Sequence, residues 1–211
     1  NFPETRIAFD LKLFGISTTI TSEKRKSYLE AFDFDSIHEK NLIYKIVAEG
    51  LLIFKQIFGF SSQSFIAPNY VWSPDIEPVL SKGGIKYIQS QRVQKSPVIN
   101  SKEKKKIYHF TGQKNRHGQF YTLRNCQFEP SFSQNRNAVN DCLAQIENAF
   151  WWRKPAIIVS HRANYIGFIE RLNRDSNLRQ LKQLIIQIQK KWPMVEFLST
   201  VQLGELISAK N

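Results

Sequence analysis

Apolar positions follow two rhythms along the chain, helical in its first quarter and strand-then-helix thereafter. Between Ser36 and Gly59, the residues Ile43, Val47, Leu51 and Phe54 recur on one helical face, with Ile46 and Ile57 flanking it. Ser36 and Glu39 stand at capping-box spacing and Gly59 offers a left-handed stop, so the pattern predicts a helix from 36 to 58. Two shorter helices are predicted ahead of it, over 3–14 and 22–32. The first has a strand alternative in the segment IAFD, which ends at Asp10.

From Gln63 the rhythm changes. Residues 64–67 read as a strand and Pro68 to Trp72 as a loop. Ser73 then caps a helix with Pro74 at its first position, Gly83 and Gly84 end it, and 85–89 form the next strand. This is one β-α-β unit, for which parallel strands are the default. Residues 90–133 are less regular. Strands are expected over 106–111 and 119–123, either as a hairpin or as one strand with an excursion around Asn115 and Gly118. A helix over 136–150 presents Val139, Leu143, Ile146 and Phe150 to a core. The continuous apolar run Ala156 to Val159 then reads as a strand covered on both faces. A helix capped by Asp175 or Ser176 repeats Leu178, Leu181, Ile185, Ile188 and Trp192 on one face. Pro193 stops it, and a strand over 195–198 leads to a last helix through Ile207.

No repeat or low-complexity linker interrupts this order, so residues 1–211 read as a single α/β domain. About five strands suit a parallel core, against roughly eight for a closed barrel, which makes the chain the carboxyl-terminal part of a larger barrel.

Charge and cysteine content narrow the partners. A net charge of +12 favours polyanions by long-range attraction. However, the basic residues are spread along the chain, the one dense run (KEKKK, 102–106) precedes a strand, and no basic-aromatic fingerprint appears, so nucleic acid is not the expected partner. No apolar run approaches the roughly 20 residues of a membrane span. Cys126 and Cys142 lack C-x-x-C spacing, and two thiols suit a reducing, cytoplasmic setting, with a single bridge as the alternative. The chain opens at Asn1 with no basic-then-apolar leader, so any targeting segment is expected to have been removed or to lie outside these residues.

Candidate chemistry concentrates where the apolar run stops. His161, Arg162 and Asn164 emerge at the carboxyl end of that strand, the usual active-site rim of an α/β fold. His161 is the candidate proton donor, because an imidazole near neutral pKa can deliver a proton; Arg162 would orient it or hold a carboxylate partner. Arg124, Asn125 and Glu129 follow the strand over 119–123 and form a second candidate cluster, Glu129 offering a carboxylate to a substrate hydroxyl or to Arg162. His109 and His117 fall on opposite arms of a turn, which disfavours a metal pair. Trp151 and Trp152, beside Arg153 and Lys154, are either a sugar-stacking platform or two rings sealing a helix end.

The segments FIAPNYVWSPDIEPVLSKGGIKYI, PAIIVSHRANYIG and WPMVEFLSTVQLGELI resemble the later motifs of the polysaccharide deacetylase family, over about two-thirds of the chain from Gln63 onward. The resemblance implies a distorted (β/α)7 barrel, incomplete here on its amino-terminal side, and metal-dependent removal of N- or O-acetyl groups from a carbohydrate substrate. By the same likeness Pro68, Asn69 and Trp72 line the substrate groove and His161 protonates the leaving group; Arg124, Asn125, Glu129, Arg162 and Asn164 are the further candidate substrate contacts. The family's divalent metal, zinc by this likeness, is held by paired aspartates and two histidines about four apart. This chain has four histidines, no H-x-x-x-H and no Asp-Asp pair, so those ligands are expected to precede Asn1 or to have been lost. The alternative to a hydrolase is a non-catalytic carbohydrate- or polyanion-binding domain that has lost the metal.

Overall fold

The computed structural model describes residues 10, 29–101, 103–131 and 137–209, which divide into two units: 1–122 with 200–211, and 123–199. The helices expected over 3–14 and 22–32 lie outside the described residues, apart from Asp10 and a turn at 29–32.

The first unit begins with helix α1, Ile37–Phe58. Ser36 Oγ accepts from the Glu39 amide at 3.2 Å, and Glu39 Oε2 accepts from Asp35 N at 2.8 Å, so the reciprocal cap forms one residue further out than expected. Gly59 adopts φ 75° and donates to the Lys55 carbonyl, the left-handed closure that glycine permits. Val47 is buried and Ile43, Leu51 and Phe54 are half-buried, as the periodicity predicts, but Ile46 and Ile57 face solvent.

Strand β1, Ser64–Ile66, is followed by a tight turn at Pro68–Tyr70 and a second at Pro74–Ile76, where Ser73 Oγ caps Asp75 N. Helix α2, Glu77–Lys82, leads to strand β2, Tyr87–Ser90, which pairs parallel with β1 from Ser64↔Tyr87 to Ile66↔Gln89. The β-α-β expectation therefore holds. Strands β3, Val93–Ser96, and β4, Lys105–Tyr108, form a separate antiparallel pair. Strand β5, Phe120–Leu123, joins the first sheet beside β2, so β4 and β5 are not partners in one hairpin. The turn between them closes by a bridge from Lys114 to Phe120.

Helix α5, Thr200–Ser208, lies against β2, with Gln89 Nε2 donating to Thr200 Oγ1 at 2.9 Å. Gly204 is buried there, and a Cβ on it would overlap the ring of Tyr87. Gly204→Ala is expected to destabilise the protein by about 1–3 kcal/mol through overpacking, measured as a lowered urea midpoint.

The second unit consists of strand β6, Cys126–Gln127; helix α3, Ala138–Trp151; strand β7, Ile158–Val159; a 3-10 turn at Arg162–Tyr165; and helix α4, Arg171–Lys191. The core joins Cys126, Phe128, Val139, Cys142, Ile146, Leu184 and Ile188, with Phe150 and Trp192 packed edge-to-face against it. Helix α4 starts earlier than expected, because Glu170 rather than Asp175 or Ser176 caps it, through the Leu172 amide at 3.0 Å.

The barrel expectation is overturned. Among the described residues the strands make three small sheets: β1-β2-β5, β3-β4 and β6-β7; none of them closes on itself. Closure requires every strand to have two neighbours. The apolar run Ala156 to Val159 finds only one: it yields a two-residue strand paired with β6 alone, and Ile158 remains 37% exposed. The strand expected over 195–198 is also absent, that segment forming no ladder before α5.

Cys126 and Cys142 are free and buried. Burial pushes the Cys126 thiol up to about 12, with the neighbouring Cys142 adding to it, and burial pushes Cys142 up to about 11. Both therefore hold their protons in the folded state after an unfolded chain has begun to lose them near 9. The unfolded state then binds fewer protons, so stability falls as pH rises. The expected result is a melting temperature that declines between about pH 9 and pH 11, and no reaction of either thiol with a disulfide reagent at neutral pH until denaturant is added.

Candidate functional site

The site is set by the register of two short parallel strands. Cys126 pairs with Ile158 and Gln127 with Val159, and the ladder runs on one step through the Phe128 amide, which donates to the Val159 carbonyl at 2.8 Å. Parallel strands carried past this point set Glu129 beside His161. Both residues lie just past the carboxyl ends of their strands, where polar side chains leave the sheet.

The contact between them is direct. His161 Nδ1 lies 2.7 Å from Glu129 Oε1, and the His161 amide donates to the same carboxylate at 3.0 and 3.3 Å. A carboxylate at that distance accepts, so Nδ1 carries the hydrogen and Nε2 is the nitrogen left for a ligand. The imidazole is 54% exposed and the carboxylate 18%, an open ring held from its protected side.

Beneath the pair lies a web of asparagines. Asn164 is fully buried; its Nδ2 donates to Glu129 Oε2 at 2.7 Å and to the His161 carbonyl at 2.9 Å, while its Oδ1 accepts from Ser131 N at 3.0 Å. Asn177 Nδ2 donates to the Asn164 carbonyl and Asn173 Nδ2 to the Ala163 carbonyl, each at 3.0 Å. Two asparagines on the first turns of α4 thereby fix the main chain of the 3-10 turn. Ser160 Oγ and Tyr165 OH lie 2.7 Å apart across it. Burial holds the Tyr165 phenol above its ordinary value, against the lowering effect of the Ser160 hydrogen bond and with the Glu129 charge adding to the rise.

The expected residues thus part company. His161 and Glu129 are brought together, but Glu129 serves the histidine rather than Arg162 or a substrate hydroxyl. Asn164 orients that carboxylate from a position with no access to a substrate, which corrects its reading as a substrate contact. Arg162 is exposed at the head of the turn. Arg124 is half-buried between β5 and β6. Asn125 sits at the amino end of the strand pair, opposite His161: its Nδ2 donates to the Pro155 carbonyl at 3.0 Å and its Oδ1 accepts from Ile157 N at 2.7 Å. Both of its amide atoms are spent on the start of β7.

Asn69 and Trp72 belong to the other unit. Asn69 is exposed with φ 52°. Trp72 is fully buried and stacks with His109, which also stacks with Tyr121 at a centroid distance of 3.9 Å, so Trp72 does not line a groove. His109 is itself a core residue, its Nε2 2.7 Å from Gln94 Oε1 and its Nδ1 3.1 Å from Gln113 Oε1. Burial lowers its pKa, which keeps the ring neutral.

The resemblance implies a divalent metal. Among the described residues no group of three or more His, Cys, Asp and Glu side chains is placed to hold one, and the exposed imidazole has its Nδ1 already committed to Glu129. These residues do not fit the metal, and no step is derived through it. Among the described residues no helix is long and apolar enough to cross a membrane. No family model matches the chain, and no curated protein matches it.

The part of the site that pattern reading missed is the pairing of Glu129 with His161. The parallel register of β6 and β7, Cys126 with Ile158 and Gln127 with Val159, aligns what comes after the two strands, and a two-residue strand leaves no periodicity in the sequence to show it.

Proposed function

We propose that this chain removes acetyl groups from a carbohydrate, with His161 delivering the proton to the departing amine or alcohol. The observation that carries the reading is the 2.7 Å contact of Glu129 Oε1 with His161 Nδ1, which leaves Nε2 on an exposed ring. Water adds its oxygen to the acetyl carbon and gives up its protons to solvent, the bond from that carbon to the sugar nitrogen or oxygen breaks, and the sugar heteroatom takes the proton from Nε2. Acetate leaves, and the imidazole regains a proton from solvent. Glu129 steadies the charged imidazolium before transfer, and the asparagine web fixes Glu129, so the ring is oriented without reorganisation during the reaction. Proton delivery is the half of the chemistry assigned to these residues. Two free buried thiols support a cytoplasmic setting.

One observation favours a second reading, carbohydrate binding without catalysis. Trp151 and Trp152 are both exposed, their rings edge-to-face at 4.5 Å, so they do not seal the end of α3. Acetate release from a panel of N- and O-acetylated oligosaccharides, measured alongside calorimetric binding, separates the two. Release of acetate supports the hydrolase. Binding without acetate, abolished by Trp151→Ala with Trp152→Ala, supports the second reading, and neither signal overturns both.

A further inference from the structure

Five residues beyond His161 the chain exposes a cluster of apolar side chains. Phe168 is 97% and Ile169 94% exposed, and Ile166 and Leu172 also face solvent. Single exposed apolar residues are ordinary on a protein surface, but four within seven positions, two of them almost fully hydrated, make a patch that calls for an apolar partner. The tip is braced. The Arg174 side chain lies across Gly167, where a Cβ would come within 3.0 Å of it, and Asn173 Nδ2 donates to the Ala163 carbonyl at 3.0 Å. Phe168 and Ile169 are therefore held outward by packed neighbours.

Basic residues flank the tip along the chain. Arg162, Arg171 and Arg179 are exposed, and Arg174 is half-exposed. The acids nearby are Asp175, bonded to Arg174 at 2.8 Å and 3.6 Å from Arg171, and Glu170, whose Oε1 is spent on the Leu172 amide. Four arginines against two acids leave a positive rim around an apolar tip, on a chain of net charge +12. An aqueous polyanion would satisfy the rim and leave Phe168 and Ile169 in water. An anionic lipid surface satisfies both, with side chains entering the acyl boundary while arginines stay among the headgroups.

We propose that the 166–172 loop docks this protein on anionic membranes, Phe168 and Ile169 inserting and Arg171 and Arg179 meeting lipid phosphates. The surface stands independently of the reaction assigned to His161, and its test does not require activity. In co-flotation with vesicles of equal parts phosphatidylcholine and phosphatidylglycerol, the chain floats, and with phosphatidylcholine alone it does not. Phe168→Ser with Ile169→Ser weakens binding to the anionic vesicles about a hundredfold, and Arg171→Gln with Arg179→Gln about thirtyfold, with melting temperatures unchanged. Should the double serine variant melt lower, Ile169→Glu alone gives the same reading at a position that is 94% exposed. No binding to the anionic vesicles overturns the proposal. So does binding that survives the loss of Phe168 and Ile169 but falls with the arginines, since charge alone then accounts for it.

Discussion

Replacing Glu129 by alanine is expected to slow acetate release by about 10²–10³-fold while the protein remains folded. The carboxylate holds His161 through Nδ1 and through its amide, so its loss frees the ring to rotate and removes the charge that stabilises the imidazolium. Glu129→Gln is the sharper variant. It keeps the size and one acceptor, yet presents an amide where a full negative charge stood, and an intermediate rate is expected. Because the two side chains act as one unit, Glu129→Ala with His161→Ala should be no slower than His161→Ala alone. Additive losses would mean that Glu129 acts elsewhere. The single variants should change kcat more than KM, since the pair is assigned to proton transfer and not to holding substrate.

The second large effect is on stability. Asn164→Leu is expected to cost about 3 kcal/mol, because it buries Glu129 Oε2 and the Ser131 amide against a side chain that can pair with neither. Asn164→Asp is expected to cost a similar amount at neutral pH for a different reason. It retains an acceptor for Ser131 but turns the donor facing Glu129 into a second carboxylate, and two carboxylates at that separation contest one proton. The pair's folded-state pKa rises above that of a free carboxylate, so the folded state binds more protons than the unfolded one through the mildly acidic range. Stability of Asn164→Asp is therefore recovered as pH falls and lost as pH rises through the raised value, whereas Asn164→Leu shows no such recovery. Urea titrations of both variants between about pH 4 and pH 8 measure the difference.

Local chemistry was legible in the sequence where the signals are short-range. The Ser36 cap on the Glu39 amide, the Gly59 stop and the Ser73-Pro74 turn follow from neighbours within a few residues, and the parallel β1-β2 unit from the order strand, helix, strand; each is found in place, although the Glu39 carboxylate reaches Asp35 N instead of the cap residue's own amide. His161 at a strand end followed from the same logic. What the pattern did not settle is how many partners each strand finds. Ala156 to Val159 has the composition of a central barrel strand, but composition does not count neighbours, and one short neighbour left it two residues long. Strand β6 was missed because two residues, Cys126 and Gln127, carry no periodicity. With β6 missing, the acid that follows it had no visible reason to meet His161. Burial was the other blind spot: Asn164 and Trp72 looked like surface residues of a loop, and tertiary contacts placed both in the interior. Helix α1 shows the opposite error, with apolar Ile46 and Ile57 left on its solvent face.

The most direct test of the account is acetate release by the wild-type chain and by His161→Ala, side by side, on the acetylated oligosaccharide from the panel that the wild type turns over fastest. The account predicts a loss of about 10²–10⁴-fold in the variant at unchanged fold. Equal rates in the two proteins would contradict it.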